Sequence, residues 1–139
     1  MVNKDTQRVH LINLNNSSIT IYHKVLSSNG VDYSYNITKL EKIYSEFSKS
    51  LLNQKYGYNT EYNGLIIIDG LSKYISPNDF NEGLFQEGYF TISVGDKIVN
   101  YLLNSLEPPT GKNTGCWEVK EVSEFFDSRG RFCSLEVLV

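Results

Sequence analysis

Alanine is missing from this 139-residue chain altogether. Without the best helix former, the composition tilts toward strands and turns. Histidine occurs twice, at His10 and His23, and cysteine twice, at Cys116 and Cys133. Two thiols 17 residues apart make neither a zinc site nor a Cys-x-x-Cys redox pair, and the expectation is two reduced thiols half-buried in strands. No apolar run exceeds the four residues Leu65–Ile68, far short of a membrane span. Met1–Arg8 is polar with no apolar region behind it, so no secretory signal is legible and a cytoplasmic protein is expected. The Asn-x-Ser/Thr matches at Asn15, Asn16 and Asn36 are then chance hits.

What the chain does contain is enough for one domain over residues 1–139, with 1–6 expected to be disordered. Hydrophobic residues make up 40%, sufficient for a core without disulfides or metal. Asn occurs fourteen times and Tyr ten. The charge is uneven. Residues 1–60 hold seven Lys/Arg against four Asp/Glu, or +3; residues 61–139 hold six against twelve, or −6. The acidic second half argues against a nucleic-acid partner, which needs clustered cations, and suits a basic protein. Ordinary solvated surface is the alternative.

The clearest element is Thr38–Gly57. Leu40, Ile43, Tyr44, Phe47 and Leu51 recur at helical spacing, Thr38 and Glu41 read as a capping box, and Gly57 as the stop. Arg8–Leu14 and Ile19–Leu26 read as an opening hairpin, and Val31–Asn36 as a short strand or a lead-in to the helix. Gly64–Gly70 reads as a central strand buried on both faces. Ser76-Pro77 marks a short helical turn through Glu82. Tyr89–Val94 reads as a strand. Lys97–Leu106 fits a helix capped by Asp96, with a hairpin strand as the competing reading. Cys116–Val122 and Arg131–Val139 read as strands around the turn Asp127–Gly130, with Cys133, Leu135, Val137 and Val139 toward the core. The fold class expected is therefore α+β: a mainly antiparallel sheet with one main amphipathic helix over about 38–56 and one or two shorter helices packed on it.

Chemistry is hard to locate. His10 and His23 face each other if the opening hairpin turns near Asn16, and two close imidazoles suit acid–base cleavage of RNA; two ordinary strand residues are the plainer reading. Asp69 and Asp79 follow a buried strand and its loop, but no spacing supports a metal site. Gly111-Lys112 fails as a phosphate loop, with Leu106 at the first glycine position and Asn113 in the Ser/Thr place. No cofactor motif is present. The stretch Ser76–Asp96 carries four acids and no Lys or Arg, interleaved with aromatics. It reads as a docking face, with Asp79, Glu82, Glu87 and Asp96 steering and Tyr89 as anchor. The alternative puts the aromatics in the core and leaves the acids on an ordinary exterior.

The single acidic domain, the Asn/Tyr-rich and Ala-free composition and the acidic-aromatic stretch Asp79–Asp96 together resemble the small immunity proteins of bacterial contact-dependent growth inhibition. The resemblance covers overall character and carries over no functional residue. It implies a non-enzymatic protein that binds a cognate toxin domain, often a basic nuclease, and occludes its active site; a small enzyme using His10 and His23 and a phage or accessory structural protein are the alternatives.

Overall fold

A computed structural model describes residues 17–47, 62–69, 73–81, 88–111 and 113–139. The described strands are β1 (Ser17–Leu26), β2 (Tyr33–Glu46), β3 (Leu65–Asp69), β4 (Lys97–Val99), β5 (Cys116–Glu118), β6 (Glu121–Phe126) and β7 (Phe132–Leu138), with one short helix, α1 (Pro77–Asn81). They form one curled, antiparallel seven-stranded sheet in the order β5-β4-β1-β2-β3-β7-β6.

This overturns the α+β expectation with its main helix. Residues 38–46 are strand, and residues 48–56 lie outside the described region. The spacing that reads as helical comes from a β-bulge. Ser17 pairs with Ile43 and Ile19 with Leu40, so two residues of β2, Glu41 and Lys42, oppose Ser18 alone. Lys42 takes the left-handed conformation, φ 57°. The extra residue moves the next inward position from 42 to 43, and strand alternation then carries it to Phe47. Leu40, Ile43 and Phe47 all reach the core. A bulged strand has thus reproduced the i, i+3, i+7 pattern of an amphipathic helix.

The bulge also turns the sheet. Before it β2 pairs with β1; after it, through Tyr44–Glu46, β2 pairs with β3. One strand therefore serves both halves of the curl. Inside lie Ile19, Ile21, Ile43, Ile66, Ile68, Phe90, Ile92, Ile98, Leu135 and Val137, all buried. Burial on this scale is the main force holding the curl closed.

The expectation for β3 holds: it is interior in the sheet, and Leu65, Ile66 and Ile68 are buried on its two faces. Ser76-Pro77 does open a helix. Phe80 N–H bonds Ser76 C=O at 3.0 Å, and α1 buries Phe80. The turn at 127–130 and the last strand also form as read.

Other readings need correction. The Arg8–Leu14 strand lies outside the described residues, and β1 has β2 and β4 as its neighbours. Val31–Asn36 mostly starts β2. Tyr89–Val94 is not a strand but holds a single parallel bridge, Phe90 to Tyr74, with Phe90 and Ile92 buried. Cys116–Val122 is split between β5 and β6. Cys133 is exposed and Cys116 half-buried. Lys97–Leu106 is not a helix. Lys97–Val99 is β4, between β1 and β5, and the residues after it cross the outer face of β1. Their backbone is held by that strand: Thr20 Oγ1 donates to Tyr101 C=O at 2.7 Å and accepts from Leu103 N–H at 3.0 Å, while Tyr22 Oη donates to Ser105 C=O at 2.9 Å. Side-chain partners of this kind replace the i−4 bonds that a helix would make.

Candidate interaction surface

His23 and Asp96 are the first place to look for chemistry. Strand β1 carries His23 on the inner face next to Ile21, and its partner in β2 is Asn36. The tight turn 93–96 carries Asp96 inward. Oδ2 accepts from His23 Nδ1 at 2.7 Å and from Ser93 N–H at 2.8 Å, and Oδ1 accepts from Lys24 N–H at 3.3 Å. Both side chains are 4% exposed, so the pair is part of the interior. The His23 ring meets Phe80 edge-on at 5.4 Å, and its Nε2 is buried with no hydrogen-bond partner among the described residues. A catalytic imidazole needs a ring nitrogen directed at a nucleophile or substrate. Here the imidazole is enclosed in the interior, and the pair fastens β1 to the loop that enters β4. An open groove of about 600 Å³ lies beyond it, lined by Val25, Ser34, Asn36, Phe80 and Asn81 among others. His10 lies outside the described residues, so the two-histidine reading has one described member, and that one is enclosed. Among the described residues no three His, Cys, Asp or Glu side chains converge as metal ligands. The Cys116 thiol is pushed up by burial, away from the reactive thiolate.

Of the docking residues expected in the acidic stretch, the structure describes Asp79, Tyr89 and Asp96. Asp79 is exposed in the first turn of α1. Glu82 and Glu87 lie outside the described residues. Asp96 is buried against His23, which corrects its reading as a steering charge. Tyr89 is half-buried, and Lys73 places its Nζ 5.9 Å from the Tyr89 ring, so a cation stands beside the expected anchor.

A different acidic surface forms on the outer face of β2, β3, β7 and β6. Strand alternation sets Leu65, Ile67 and Asp69 outward on β3, since Ile66 and Ile68 point into the core. Cross-strand register then gives two rows: Glu46, Leu65, Leu138, Glu121 and Tyr44, Ile67, Glu136, Ser123. A third aligns Asp69, Ser134 and Phe125. Four carboxylates occupy these rows and no Lys or Arg does. Tyrosines fix two of them. Tyr44 Oη donates to Glu46, and Tyr62 Oη donates to Glu121 Oε2 at 2.5 Å. The Glu46 carboxylate beside it pushes the Tyr44 hydroxyl up to about 12, because ionising the phenol would set two anions together. From the core side Tyr74 Oη reaches Glu124 Oε1 at 2.5 Å, and burial, with that carboxylate, raises the Tyr74 hydroxyl well above its ordinary range.

The chain belongs to a family of unknown function, DUF6751. The family match covers residues 14–131, from the start of β1 to the turn before β7. No curated protein and no solved structure matches the chain. The match includes the bulge, the His23–Asp96 pair and all of β6.

The sequence reading missed the acidic face, although a signal was there. Ser134-Leu-Glu-Val-Leu138 alternates with period two, and Glu136 stands between two core positions. What alternation does not supply is the strand order that brings Glu46, Asp69 and Glu121 alongside it.

Proposed function

We propose that the protein is a non-enzymatic binding module that neutralises a basic toxin domain, a nuclease by preference, by covering its active site in the cytoplasm. The observation that supports this reading is the outer face of β2–β3–β7–β6, with Glu46, Asp69, Glu121 and Glu136 in cross-strand rows free of Lys and Arg. Such a surface steers a cationic protein toward it and stands in for the phosphates that a nuclease recognises. Leu65 and Leu138 are buried between Glu46 and Glu121, so that row is an apolar pair with a carboxylate at each end.

The test starts from a tagged chain in host cells, with the co-purified protein assayed for nuclease activity. Adding the chain in equimolar amount is expected to abolish that activity. Association is expected to slow about tenfold or more as salt rises from about 50 to about 500 mM, and to slow again with Glu121→Lys and Glu136→Lys. A partner that keeps its activity in the complex, or associates at a rate indifferent to salt and to both variants, overturns the reading.

A further inference from the structure

β6 ends the sheet. β7 pairs with it on one side, and no described strand pairs with it on the other. Alternate residues of an edge strand turn their N–H and C=O groups away from the sheet, which makes a template for another strand. Proteins usually guard such edges with charge, above all lysine, with proline, with bulges or by brevity, and β6 has of these only its two glutamates and a bulge at its far end. At the other end of this sheet β5 is guarded by brevity, with three residues against six in β6. β6 reads Glu-Val-Ser-Glu-Phe-Phe, without Lys, Arg or Pro. Its register shift at Phe125/Phe126 ends regular pairing only after Phe125. Phe125 and Phe126 are 47% and 55% exposed, large apolar area for an edge to leave in water.

The two glutamates lie on opposite faces. Glu121 is on the outer side, hydrogen-bonded by Tyr62; Glu124 is on the core side, hydrogen-bonded by Tyr74. Each tyrosine holds its carboxylate in place, so less side-chain freedom is lost when a cation arrives. Val122 packs against the core next to Glu124, and Phe125 shares the outer side with Glu121.

We propose that β6 is a docking edge for an extended basic segment of a partner protein, which adds to the sheet as an eighth strand. Main-chain hydrogen bonds supply affinity, as in other strand additions, and side chains at alternate positions supply selection. The segment carries basic residues three apart, to meet Glu121 and Glu124 from the two faces, and apolar residues opposite Val122 and Phe125. A second copy of this chain brings the same carboxylates to the edge, so charge disfavours self-pairing. The proposal rests on the reading of a basic protein partner and specifies where that partner enters.

Amide hydrogen exchange on the full-length chain tests it, with the peptide acetyl-Lys-Val-Thr-Lys-Val-Thr-amide as probe. In the free protein the β6 amides turned away from β7 are expected to exchange rapidly. With the peptide they are expected to slow by about tenfold or more, in an every-other-residue pattern across 121–125. The same peptide with glutamate in place of lysine is expected to protect none of them. Glu121→Gln and Glu124→Gln should each weaken the basic peptide by about threefold, the range of exposed charge pairs, and both leave the backbone edge intact. No protection at millimolar peptide, equal protection by both peptides, or protection confined to other strands overturns the proposal. The two readings fail separately. A basic partner that binds with steep salt dependence yet leaves the β6 amides unprotected removes the edge and keeps the acidic face. A peptide that protects β6, when the isolated partner keeps full activity in the complex, removes toxin neutralisation and keeps the edge.

Discussion

At Asp96 a single carboxylate accepts from three donors and joins β1 to the turn before β4. Its substitution by alanine strands the His23 Nδ1–H and the Ser93 N–H inside the protein. Each unsatisfied buried donor costs about 1–3 kcal/mol, so Asp96→Ala is expected to lose roughly 3 kcal/mol in urea unfolding, and Asp96→Asn less, because one amide oxygen still accepts. A loss below about 0.5 kcal/mol for the alanine variant would remove the pair from the framework of the fold. Gly64 is a residue of another kind, constrained by space. A Cβ built there falls 2.4 Å from Cδ1 of Phe47, whose ring stacks on Trp117 at 5.6 Å. Gly64→Ala is expected to cost about 1–3 kcal/mol, as overpacked cores do, and to change the near-ultraviolet signal of Trp117, the only tryptophan. Neither role is legible residue by residue. An aspartate after glycine reads as a surface turn, and a glycine before four apolar residues reads as a strand boundary, which Gly64 also is.

At the scale of elements, β2 shows where sequence periodicity misleads. The bulge inserts one residue, so the inward positions fall three and then four apart, which is the arithmetic of a helix. Nothing local distinguishes the two; the partner strand decides. By contrast β3, β7 and α1 were legible, because a doubly buried apolar run, period-two alternation and a Ser-Pro helix start depend on local sequence. The segment after β4 was not, since its backbone partners are Thr20 and Tyr22, some 80 residues earlier in the chain. The bulge itself is open to test. A left-handed lysine carries a backbone cost of about 1–2 kcal/mol, which glycine avoids while giving back about half in chain entropy. Lys42→Gly is therefore expected to stabilise the protein by several tenths of a kcal/mol to about 1 kcal/mol. Lys42→Val should destabilise it by at least about 1 kcal/mol, since a branched Cβ fits this conformation worst. Equal midpoints for both variants in denaturant unfolding would mean that position 42 does not set the turn of the sheet.

Over the whole molecule, the uneven charge of the sequence was legible and its location was not: strand order, rather than one contiguous stretch, gathers the carboxylates. Sensitivity to alkali is expected from four tyrosines. Tyr22 and Tyr35, packed edge to face on the outer side of β1 and β2, have hydroxyls raised by burial. Tyr44 is raised to about 12 by Glu46. Tyr74 is raised by burial and by Glu124. In each case the folded value lies above that of the unfolded chain, near 10. The folded protein thus holds these protons more tightly, and the stabilisation is fully present below about pH 10 and lost as pH rises through the folded values. The thermal midpoint is expected to fall steadily from about pH 10 to beyond pH 12. The double variant Tyr44→Phe/Tyr74→Phe loses two tyrosine–glutamate hydrogen bonds and should melt lower than the parent at pH 8. Above pH 10 its slope should be shallower, because the parent loses there what the variant never had. Parallel slopes for the two proteins through this window would mean that these hydroxyls do not couple ionisation to folding, and that the alkaline transition belongs to general charge repulsion.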